Sequence, residues 1–496
     1  MASILTPVET YHSLPFLLLL PLFLFVLKHK FSKNPVRIRL PPGPKPWPII
    51  GNLPLIGDNP HVSFAQISKT HGPLISVRLG TQLVVVGSSP AAAEAILKTH
   101  DRELSGRHVP YVSFAREPMY NRDSIAWTFE CTEQWKNSRN LMRTELFGSK
   151  IVDSQFRIRE EKIGELVEFL GSKLGESVQI REVLFVTTFN SFSNIHLSKD
   201  FLAFGGGESR RMSRLVRDMM ELWTAPNISD FFPILSGLDL QGLRKMADEC
   251  VKKMCAIWDS AIKERRGRHQ SNHRDFLDVL LESGFSDEQI SLLFVELLAA
   301  VSDGTASTVE WAMTELLKNP GAMNKIREEL EQQIAEDFVR EEDLVKLPYL
   351  YACVKETLRL HPPAPLLLPH RAIEDCKVMQ YTIPKDTQVF VNVWAIARDP
   401  TIWETPLSFK PERFLNSNVS YKGNDFQYLP FGSGRKICAG MPMAIRQVQM
   451  TLASLVHKFE WCLPDTVKPE EIDMNEKFGV TLLKLNPLVV IPKARK

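Results

Sequence analysis

The sequence predicts a mainly α-helical fold with a small β portion, and three observations support this fold class. Apolar residues recur at helical spacings through most of the chain, above all between residues 154 and 346. Short runs rich in β-branched residues near 74–86, 389–393 and 482–491 predict a few short strands. A helical pattern from Ser286 to Lys318 is long enough to cross a whole domain, so we expect one long central helix.

The composition argues against several classes of function. A formal net charge of +2 gives no general case for nucleic-acid binding. The seven cysteines are scattered and odd in number, which argues against a disulfide framework, and no CxxC pair supports a structural zinc site. No G-x-G-x-x-G follows a strand and no P-loop is present, so the chain shows no sign of a nicotinamide or nucleotide site.

The first 33 residues predict a membrane anchor. Leu14 to Leu27 is an uncharged apolar run that, with Tyr11 to Ser13, reaches about 17 residues, the low end for crossing a bilayer. Lysines and arginines follow the run, which predicts that the rest of the chain stays cytosolic. A cleaved signal peptide is the alternative, but it would carry its charge before the run. We therefore expect residues 1–33 to form a single-pass anchor.

A proline-rich hinge follows at residues 34–52. Five prolines lie between Pro41 and Pro48, counting both ends, and they predict a stiff, extended connector between the anchor and the globular part. The globular part then comprises residues 53–496.

The long helix contains an unusual stretch. Ser286 with Gln289 three residues later is a capping-box pattern, and the pattern can run about 32 residues, or roughly 48 Å, to Lys318. Asp303 and Gly304 are poor choices for a buried helix interior, since a glycine alone costs about 1 kcal/mol against alanine. A helix tolerates such residues where something functional lies against it. A local kink without chemistry is the alternative.

The loop FGSGRKICAG, Phe431 to Gly440, predicts a functional thiolate. Arg435 and Lys436 precede Cys438, and an amphipathic helix follows it; cations and a helix N-terminus both lower the pKa of a thiol. The alternative is a glycine-rich surface turn with an inert cysteine.

Three further patterns accompany this loop. Glu356 and Arg359 are three residues apart on a helix that ends at a Pro-Pro pair, so they share a face. Arg413 lies in the loop FKPERF, and Trp135 and Arg139 are four residues apart on a helix face in QWKNSR.

Taken in this order, the patterns resemble the cytochrome P450 family of haem-thiolate monooxygenases, over essentially the whole chain. The resemblance implies the P450 fold, with the long central helix over haem b and residues 53–496 as the haem-thiolate catalytic domain. Cys438 would ligate the haem iron. Glu356, Arg359 and Arg413 match the family's structural triad, which is not catalytic. Residues implied to bind the cofactor are Trp135, Arg139, Arg371, Lys436 and Cys438.

The sequence departs from the family pattern at three positions. Lys436 replaces the usual arginine, so it keeps the charge but loses the bidentate grip on a carboxylate. In the long helix, Val301 replaces a glycine and Gly304 replaces a threonine that helps deliver protons during dioxygen activation. Asp303, Gly304 and Thr305 are therefore the catalytic candidates. Ordered water or a substrate hydroxyl could deliver the protons instead; a weakened monooxygenase is the alternative.

A narrower resemblance, carried by LDLQGLRK, ELFGSKIVDSQ and ICAGMPMA, is to plant enzymes of isoquinoline and tropane alkaloid biosynthesis. It implies a small hydrophobic amine substrate and hydroxylation, oxidative phenol coupling or skeletal rearrangement of the littorine type. Asp303 or Glu296 could face the amine. Residues implied to line the substrate pocket are Ala300, Leu366, Leu367, Phe478 and Val480.

The resemblance also implies partners: dioxygen, NADPH–cytochrome P450 reductase, since the chain has no evident flavin or nicotinamide module, and the endoplasmic-reticulum membrane. We expect the reductase to dock near Arg435 and Lys436. The alternatives are a haem isomerase or dehydratase that does not oxygenate, a monooxygenase of terpenoid or phenolic substrates, and a membrane-anchored scaffold without haem.

Overall fold

The structure, a computed structural model, describes residues 39–267 and 274–495. The chain divides into two compact units, Met1–Leu40 and Pro41–Lys496, and the description below concerns the second. The predicted anchor, residues 1–33, lies outside the described residues. Within them, one helix is long and apolar enough to cross a membrane, Asp287–Lys318, but 72% of its most apolar window is buried inside the protein.

The second unit is mainly helical, as the sequence predicts. In chain order its α-helices are α1 Pro60–His71, α2 Pro90–Glu94, α3 Pro118–Asn121, α4 Glu133–Glu145, α5 Ser149–Ser154, α6 Phe156–Gly171, α7 Ile180–Leu197, α8 Gly207–Leu222, α9 Ile228–Phe231, α10 Leu243–Gly267, α11 Phe276–Glu282, α12 Asp287–Lys318, α13 Pro320–Gln333, α14 Pro348–Leu360, α15 Val393–Ile396 and α16 Met441–Lys458.

The β portion consists of short strands in four small sheets within the described part of the chain. The strands are β1 Leu74–Leu79, β2 Gln82–Gly87, β3 Gly106–Arg107, β4 Val178–Gln179, β5 His370–Arg371, β6 Cys376–Val378, β7 Tyr381–Ile383, β8 Gln388–Val391, β9 Phe459–Cys462, β10 Glu476–Lys477, β11 Leu483–Lys484 and β12 Val489–Ala494. The largest sheet has the order β1-β2-β8-β5-β3, in which only β2 and β8 are parallel. A three-stranded sheet has the order β4-β12-β9, and β6-β7 and β10-β11 are two-stranded pairs.

The predicted strand regions are found, with one difference. Residues 74–86 form the β1–β2 hairpin, and the second run forms β8, which ends at Val391. The run at 482–491 is divided between two strands. It contains β11 and the start of β12, which belong to different sheets, because the chain leaves the ladder between Leu485 and Leu488.

Helix α12 is the central element and has the predicted bounds. Ser286 caps it, Gln289 completes the capping box in both directions, and the helix ends at Lys318 before Asn319-Pro320. Its residues contribute to both large core clusters, with Phe294 and Leu298 in one and Met313 and Leu316 in the other. The helix packs against α7, α10, α14 and α16, so it fixes the position of every helix around it.

The described part of the hinge, from Pro41 onward, lies against strand β1. The carbonyls of Pro41 and Pro42 accept hydrogen bonds from Ser76, and the side chain of Asn52 accepts one from the Arg78 amide. A Cβ at Gly43 would lie 1.8 Å from the Ser76 carbonyl oxygen, so only glycine allows this approach. The connector is therefore part of the globular unit from Pro41 on.

Glu356, Arg359 and Arg413 form a buried ion cluster at the end of α14. Arg359 donates from Nε and Nη2 to the Glu356 carboxylate at 2.8 Å each, and Arg413 Nε donates to the same carboxylate at 3.0 Å. Arg359 also donates to the carbonyls of Ala397 and Pro406. The side chains of Glu356 and Arg359 are 0% exposed, so the ion cluster is buried. It joins α14 to the loops that follow α15.

We predict that Glu356→Gln destabilises the holoenzyme by about 3–5 kcal/mol, because it leaves the buried Arg359 guanidinium without a counter-charge. Thermal unfolding monitored by circular dichroism measures the loss. Breaking the exposed pair Lys98–Glu94 with Glu94→Gln is the control, and we expect a change within about 0.5 kcal/mol. Equal effects of the two variants would contradict a stabilising role for the cluster.

Candidate active site

A cavity of about 340 Å³ lies between helix α12 and the loop that contains Cys438. Its walls come from segments spread from residue 97 to residue 481. The lining is predominantly apolar, as is usual for a small-molecule site. Apolar lining residues include Leu97, Ile125, Ala126, Met142, Phe147, Met220, Leu297, Ala300, Val301, Leu367, Leu368 and Val480.

Glycines shape the loop that presents Cys438. Gly434 has φ +66°, and a Cβ there would lie 2.0 Å from the carbonyl oxygen of Leu97, so the residue must be glycine. The Cys438 amide donates to the Phe431 carbonyl at 3.0 Å, which closes the loop. Helix α16 begins at Met441, and the Gly440 and Met441 amides at its N-terminus donate toward the Cys438 sulfur. Cys438 therefore lies just before a helix N-terminus, as the sequence predicts.

The electrostatics of the thiol differ from the sequence expectation. Burial raises the pKa of Cys438, and the amides of Gly440 and Met441 and the charge of Arg139 oppose that rise only in part. The accessible surface of Cys438 faces the cavity and not the outer surface of the protein. The expectation that Arg435 lowers the pKa is wrong, because its guanidinium pairs with Asp101 at 2.9 and 3.0 Å.

Four basic side chains line the cavity on one side, and none of them pairs with a carboxylate within the described residues: Arg107, Arg139, His370 and Lys436. Arg107 Nη1 donates to the Leu368 carbonyl at 2.8 Å, while its buried Nε lacks a partner. Lys436 Nζ lies 4.1 Å from the Trp135 ring centroid and also lacks a hydrogen-bond partner. Arg107, Arg139 and Lys436 thus bring cationic groups to the cavity without a carboxylate partner among the described residues, and such groups call for an anionic ligand.

Mutual repulsion and burial weaken these charges. Burial lowers the pKa of Arg107 to about 10 and that of Lys436 to about 7, and in Lys436 the neighbouring charge of Arg107 adds to the effect. Burial also lowers the pKa of His370 well below its ordinary value. Without an anion beside it, Lys436 therefore carries only part of its charge at neutral pH. Lys436 faces inward, so the predicted docking surface cannot include its side chain.

The sequence model of the cytochrome P450 family matches residues 41–490. The chain belongs to the cytochrome P450 family. It is therefore a haem-thiolate monooxygenase, with haem b as its cofactor, and it uses dioxygen and a reductase that supplies electrons.

Curated relatives are similar to this P450 over nearly its whole length. A probable (S)-N-methylcoclaurine 3'-hydroxylase isozyme 2 from Coptis japonica is 49% identical over 478 residues, covering 96% of each chain. Corytuberine synthase from Coptis japonica is 44% identical, covering 95% of this chain and 96% of the relative. Berbamunine synthase from Berberis stolonifera is 40% identical, covering 93% and 96%. The resemblance to plant enzymes of isoquinoline alkaloid biosynthesis is confirmed.

The residues of this P450 fit haem b. The haem carries two propionate carboxylates, and the four unpaired basic side chains are the donors that such carboxylates require. Arg107, Arg139, His370 and Lys436 would hold the propionates, while Trp135 packs beneath Lys436 and Cys438 would supply the iron ligand. When bound, the haem supplies the iron at which dioxygen is activated. These residue roles remain predictions.

Arg371 lies outside the cavity, although the sequence predicts that it binds the cofactor. Its Nη1 donates to Asp386 at 2.5 Å and its Nη2 to the Phe129 carbonyl at 3.0 Å, and it does not line the cavity. In the adjacent position of the same strand, His370 faces the cavity. Alternation along a β-strand explains the difference, since successive side chains point to opposite faces.

One face of helix α12 forms a wall of the P450 cavity. Ala300, Gly304 and Thr308 follow one another at intervals of four residues, and Thr305 also lines the wall. The Thr308 hydroxyl donates to the Gly304 carbonyl at 2.7 Å. A Cβ at Gly304 would meet nothing within 4 Å, so the residue faces open space. Thr305 thus reaches the cavity beside the position that lacks a hydroxyl.

Asp303 does not line the cavity, although the sequence suggested it as a catalytic acid. Burial raises its pKa to about 6, and the charges of Arg217 and Arg181 oppose the rise. One helical residue step turns the side chain by about 100° away from Gly304, toward helix α8. A role in proton transfer would therefore have to act through another group, such as Thr305 or water.

Three of the five predicted pocket residues line the cavity: Ala300, Leu367 and Val480. Leu366 instead packs in the core of the largest sheet, and Phe478 stacks on His61 at 5.5 Å between ring centroids. Leu367 has φ +54°, a conformation that is uncommon for a leucine. This left-handed residue reverses the local direction of the chain, which sends Leu366 into the core and Leu367 into the cavity.

Sequence reasoning missed Arg107, His370 and Thr308. Arg107 follows Ser105-Gly106 in a two-residue strand, and a lone arginine in so short an element carries no periodic signal. His370 could have been found, because it adjoins Arg371 in a segment that the sequence singled out. Thr308 could also have been found, since it lies four residues after Gly304 on the same helix face.

We predict that Arg107→Leu lowers the affinity for haem about 10- to 100-fold, because it removes a buried, charged hydrogen-bond donor from the propionate side of the cavity. Haem loss to an excess of an apo-globin acceptor measures the change. Arg435→Leu is the matched control. It lies in the Cys438 loop but pairs with Asp101, and we expect a haem-loss rate within about threefold of wild type. Similar rates in the two variants would contradict the assignment.

The pH dependence of stability provides a test for Asp303. Its folded-state pKa of about 6 exceeds the unfolded value of 3.8, so its contribution is full below about pH 4 and is lost as the pH rises through 6. We expect Asp303→Asn to add about 1 kcal/mol more stability at pH 7.5 than at pH 5. Urea unfolding of the holoenzyme at both pH values measures this. The exposed Glu133→Gln is the control, and a flat difference for Asp303→Asn would contradict the assigned burial.

Proposed function

We propose that this P450 oxidises a small hydrophobic amine in plant alkaloid metabolism, using NADPH, dioxygen and NADPH–cytochrome P450 reductase. The observation that carries the proposal is the apolar cavity between Cys438 and the α12 face of Ala300, Gly304 and Thr305. The relatives support the substrate class, since one is named for a hydroxylation of N-methylcoclaurine and two are named as synthases of corytuberine and berbamunine.

Gly304 bears on proton delivery. A threonine hydroxyl at this place would face the cavity directly, and its absence leaves Thr305 and Thr308 as the hydroxyl groups of α12 on the lining within the described residues. The Thr308 hydroxyl is engaged with the Gly304 carbonyl. Protons are needed to activate dioxygen before hydroxylation, coupling or rearrangement, so the missing hydroxyl affects proton delivery and does not select one of these reactions. We therefore include phenol coupling and skeletal rearrangement beside hydroxylation.

We further propose that the enzyme is anchored in the endoplasmic-reticulum membrane by residues 1–33, with residues 34–52 as a hinge whose part from Pro41 on packs against the cytosolic haem domain of residues 53–496. Exposed apolar side chains near the hinge support membrane contact. Trp47 is 62% exposed, and Ile49 and Ile50 are close to it. Ile234, 93% exposed, follows α9, whose Phe231 carbonyl accepts a hydrogen bond from Thr81 in the β1–β2 turn. We assign membrane contact to these exposed apolar side chains.

A product mass assay tests the function. Membranes containing the protein and a plant reductase are given NADPH and a panel of isoquinoline and tropane amines. A gain of one oxygen indicates hydroxylation, and a loss of two hydrogens indicates coupling. A loss of two hydrogens from one substrate molecule, with a new fragmentation pattern, indicates oxidative rearrangement, because an oxidation by dioxygen and NADPH cannot leave the mass unchanged. Oxidation of terpenoid or phenolic compounds alone would contradict the amine substrate. Conversion that proceeds without NADPH would favour an isomerase or dehydratase, the candidate that Gly304 also allows.

We predict that Gly304→Thr changes the ratio of products by at least about threefold, because it adds a hydroxyl where nothing lies within 4 Å of the new Cβ. Liquid chromatography with mass detection measures the ratio. Gly304→Ala is the matched control. It fills part of the same space without a hydroxyl and should stabilise the helix by up to about 1 kcal/mol. A ratio that is unchanged in the Thr variant, with only a faster rate, would indicate an ordinary hydroxylase weakened by glycine.

A further inference from the structure

Glu296 is the one carboxylate among the described residues that line the cavity, and the mechanism above does not use it. It lies on α12, one turn before Ala300 and two turns before Gly304. Its side chain is 6% exposed, and burial raises its pKa. The sequence suggested that it could face a substrate amine.

The carboxylate oxygens of Glu296 are already engaged. Oε1 accepts a short hydrogen bond from the Ser124 hydroxyl. Oε2 accepts from the Ile125 amide at 2.9 Å and from the Ala126 amide at 3.3 Å. Bonds from neutral donors to a buried carboxylate are strong, and together they leave Glu296 little capacity for a ligand.

The segment that Glu296 holds forms part of the cavity wall. Ile125 and Ala126 line the cavity, and the Ser124 hydroxyl also accepts from the Trp127 amide at 2.8 Å. From the other side, the Trp135 indole donates to the Ile125 carbonyl at 3.1 Å. Residues 124–126 have no helix or strand of their own, so side chains on α12 and α4 determine their position.

The spacing of residues along α12 relates the contact between Glu296 and residues 124–126 to the substrate cavity. Glu296, Ala300 and Gly304 are spaced by four residues and share a face, so the Cα atom of Glu296 lies about 6 Å along the axis from that of Ala300 and about 12 Å from that of Gly304. Residues 124–126, which Glu296 holds at this distance from Gly304, limit how far a substrate can extend along the helix. They thereby decide which substrate atom reaches the reacting centre.

We propose that Glu296 is a positioning residue that fixes residues 124–126 as the ceiling of the substrate cavity and so determines regiochemistry. It does not serve as the counter-ion of a substrate amine. This inference deepens the proposed function, on which its regiochemical part rests, while its structural part concerns the substrate-free enzyme.

Hydrogen exchange of the substrate-free holoenzyme provides the first test. In Glu296→Ala, the amides of Ile125 and Ala126 lose their acceptor, and we expect their exchange to accelerate at least tenfold. In Glu296→Gln, the remaining carbonyl oxygen can accept both amides, so exchange should stay within about threefold of wild type. Glu288→Gln is the matched control on the same helix. It accepts only from the Tyr120 hydroxyl at the surface and should leave both amides unchanged.

Measurements of ligand binding distinguish a positioning role of Glu296 from a counter-ion role. Spectral titration is carried out with an amine from the panel that is oxidised and with its uncharged N-acyl analogue. Positioning predicts that Glu296→Gln changes neither affinity by more than threefold, and that Glu296→Ala changes both to a similar degree and shifts the site of oxidation. A loss of tenfold or more in Glu296→Gln for the amine alone would overturn the proposal.

Two safeguards keep the outcome decisive. If Glu296→Ala retains no haem, Glu296→Asp replaces it, because withdrawing the carboxylate by one methylene should also accelerate exchange at Ile125 and Ala126. Unchanged exchange in a haem-loaded Ala or Asp variant would refute the positioning role. If no amine is oxidised by the wild type, the exchange result still stands, so failure of the proposed function is recognised separately.

Discussion

The geometry of the active site depends on one constraint, the periodicity of a single long helix through the middle of the protein. Helix α12 is buried on nearly all sides, so each of its faces must satisfy a different neighbour. One face carries Glu296, Ala300, Gly304 and Thr308 toward the cavity. In its second half, Glu310 pairs with Arg181 and accepts the Leu488 amide, and Ser307 donates to the Leu482 carbonyl. Helix α12 thus positions residues 124–126, the cavity wall at Gly304 and the C-terminal segment relative to one another.

The uncompensated positive charges that line the cavity impose a second constraint. Most buried charges in this protein are compensated internally, as Glu356 is by two arginines and Arg159 is by Glu341. Arg107, Arg139 and Lys436 are exceptions, because they face the cavity without a carboxylate from the described chain. Burial lowers the pKa of each of these groups, because it disfavours the charged form. An anionic cofactor offsets this effect, so its binding and the stability of the fold are thermodynamically linked.

Features with a local signal could be predicted from the sequence. The ends of α12 follow from a capping box and a proline stop, and the Glu356–Arg359 pair follows from spacing on one helix turn. Features that depend on irregular backbone could not. Leu366 and Leu367 are chemically identical neighbours, and only the positive φ of Leu367 decides which one enters the cavity. The pKa of Lys436 depends on burial by segments distant in sequence. Asp303 does not line the cavity, because one residue step on the helix turns its side chain by about 100° away from that of Gly304.

The spread of the cavity walls along the chain has a consequence for biosynthesis. The lining begins at Leu97 and ends at Thr481, so a growing chain contains a complete enclosure only once Thr481 has been made. Contacts between such distant segments close large loops, which makes assembly slow compared with the formation of single helices. The nascent protein must therefore persist with its cavity incomplete until the chain has been extended to Thr481. Capture of the cofactor is consequently a late event, and the incomplete chain carries exposed apolar surface until then.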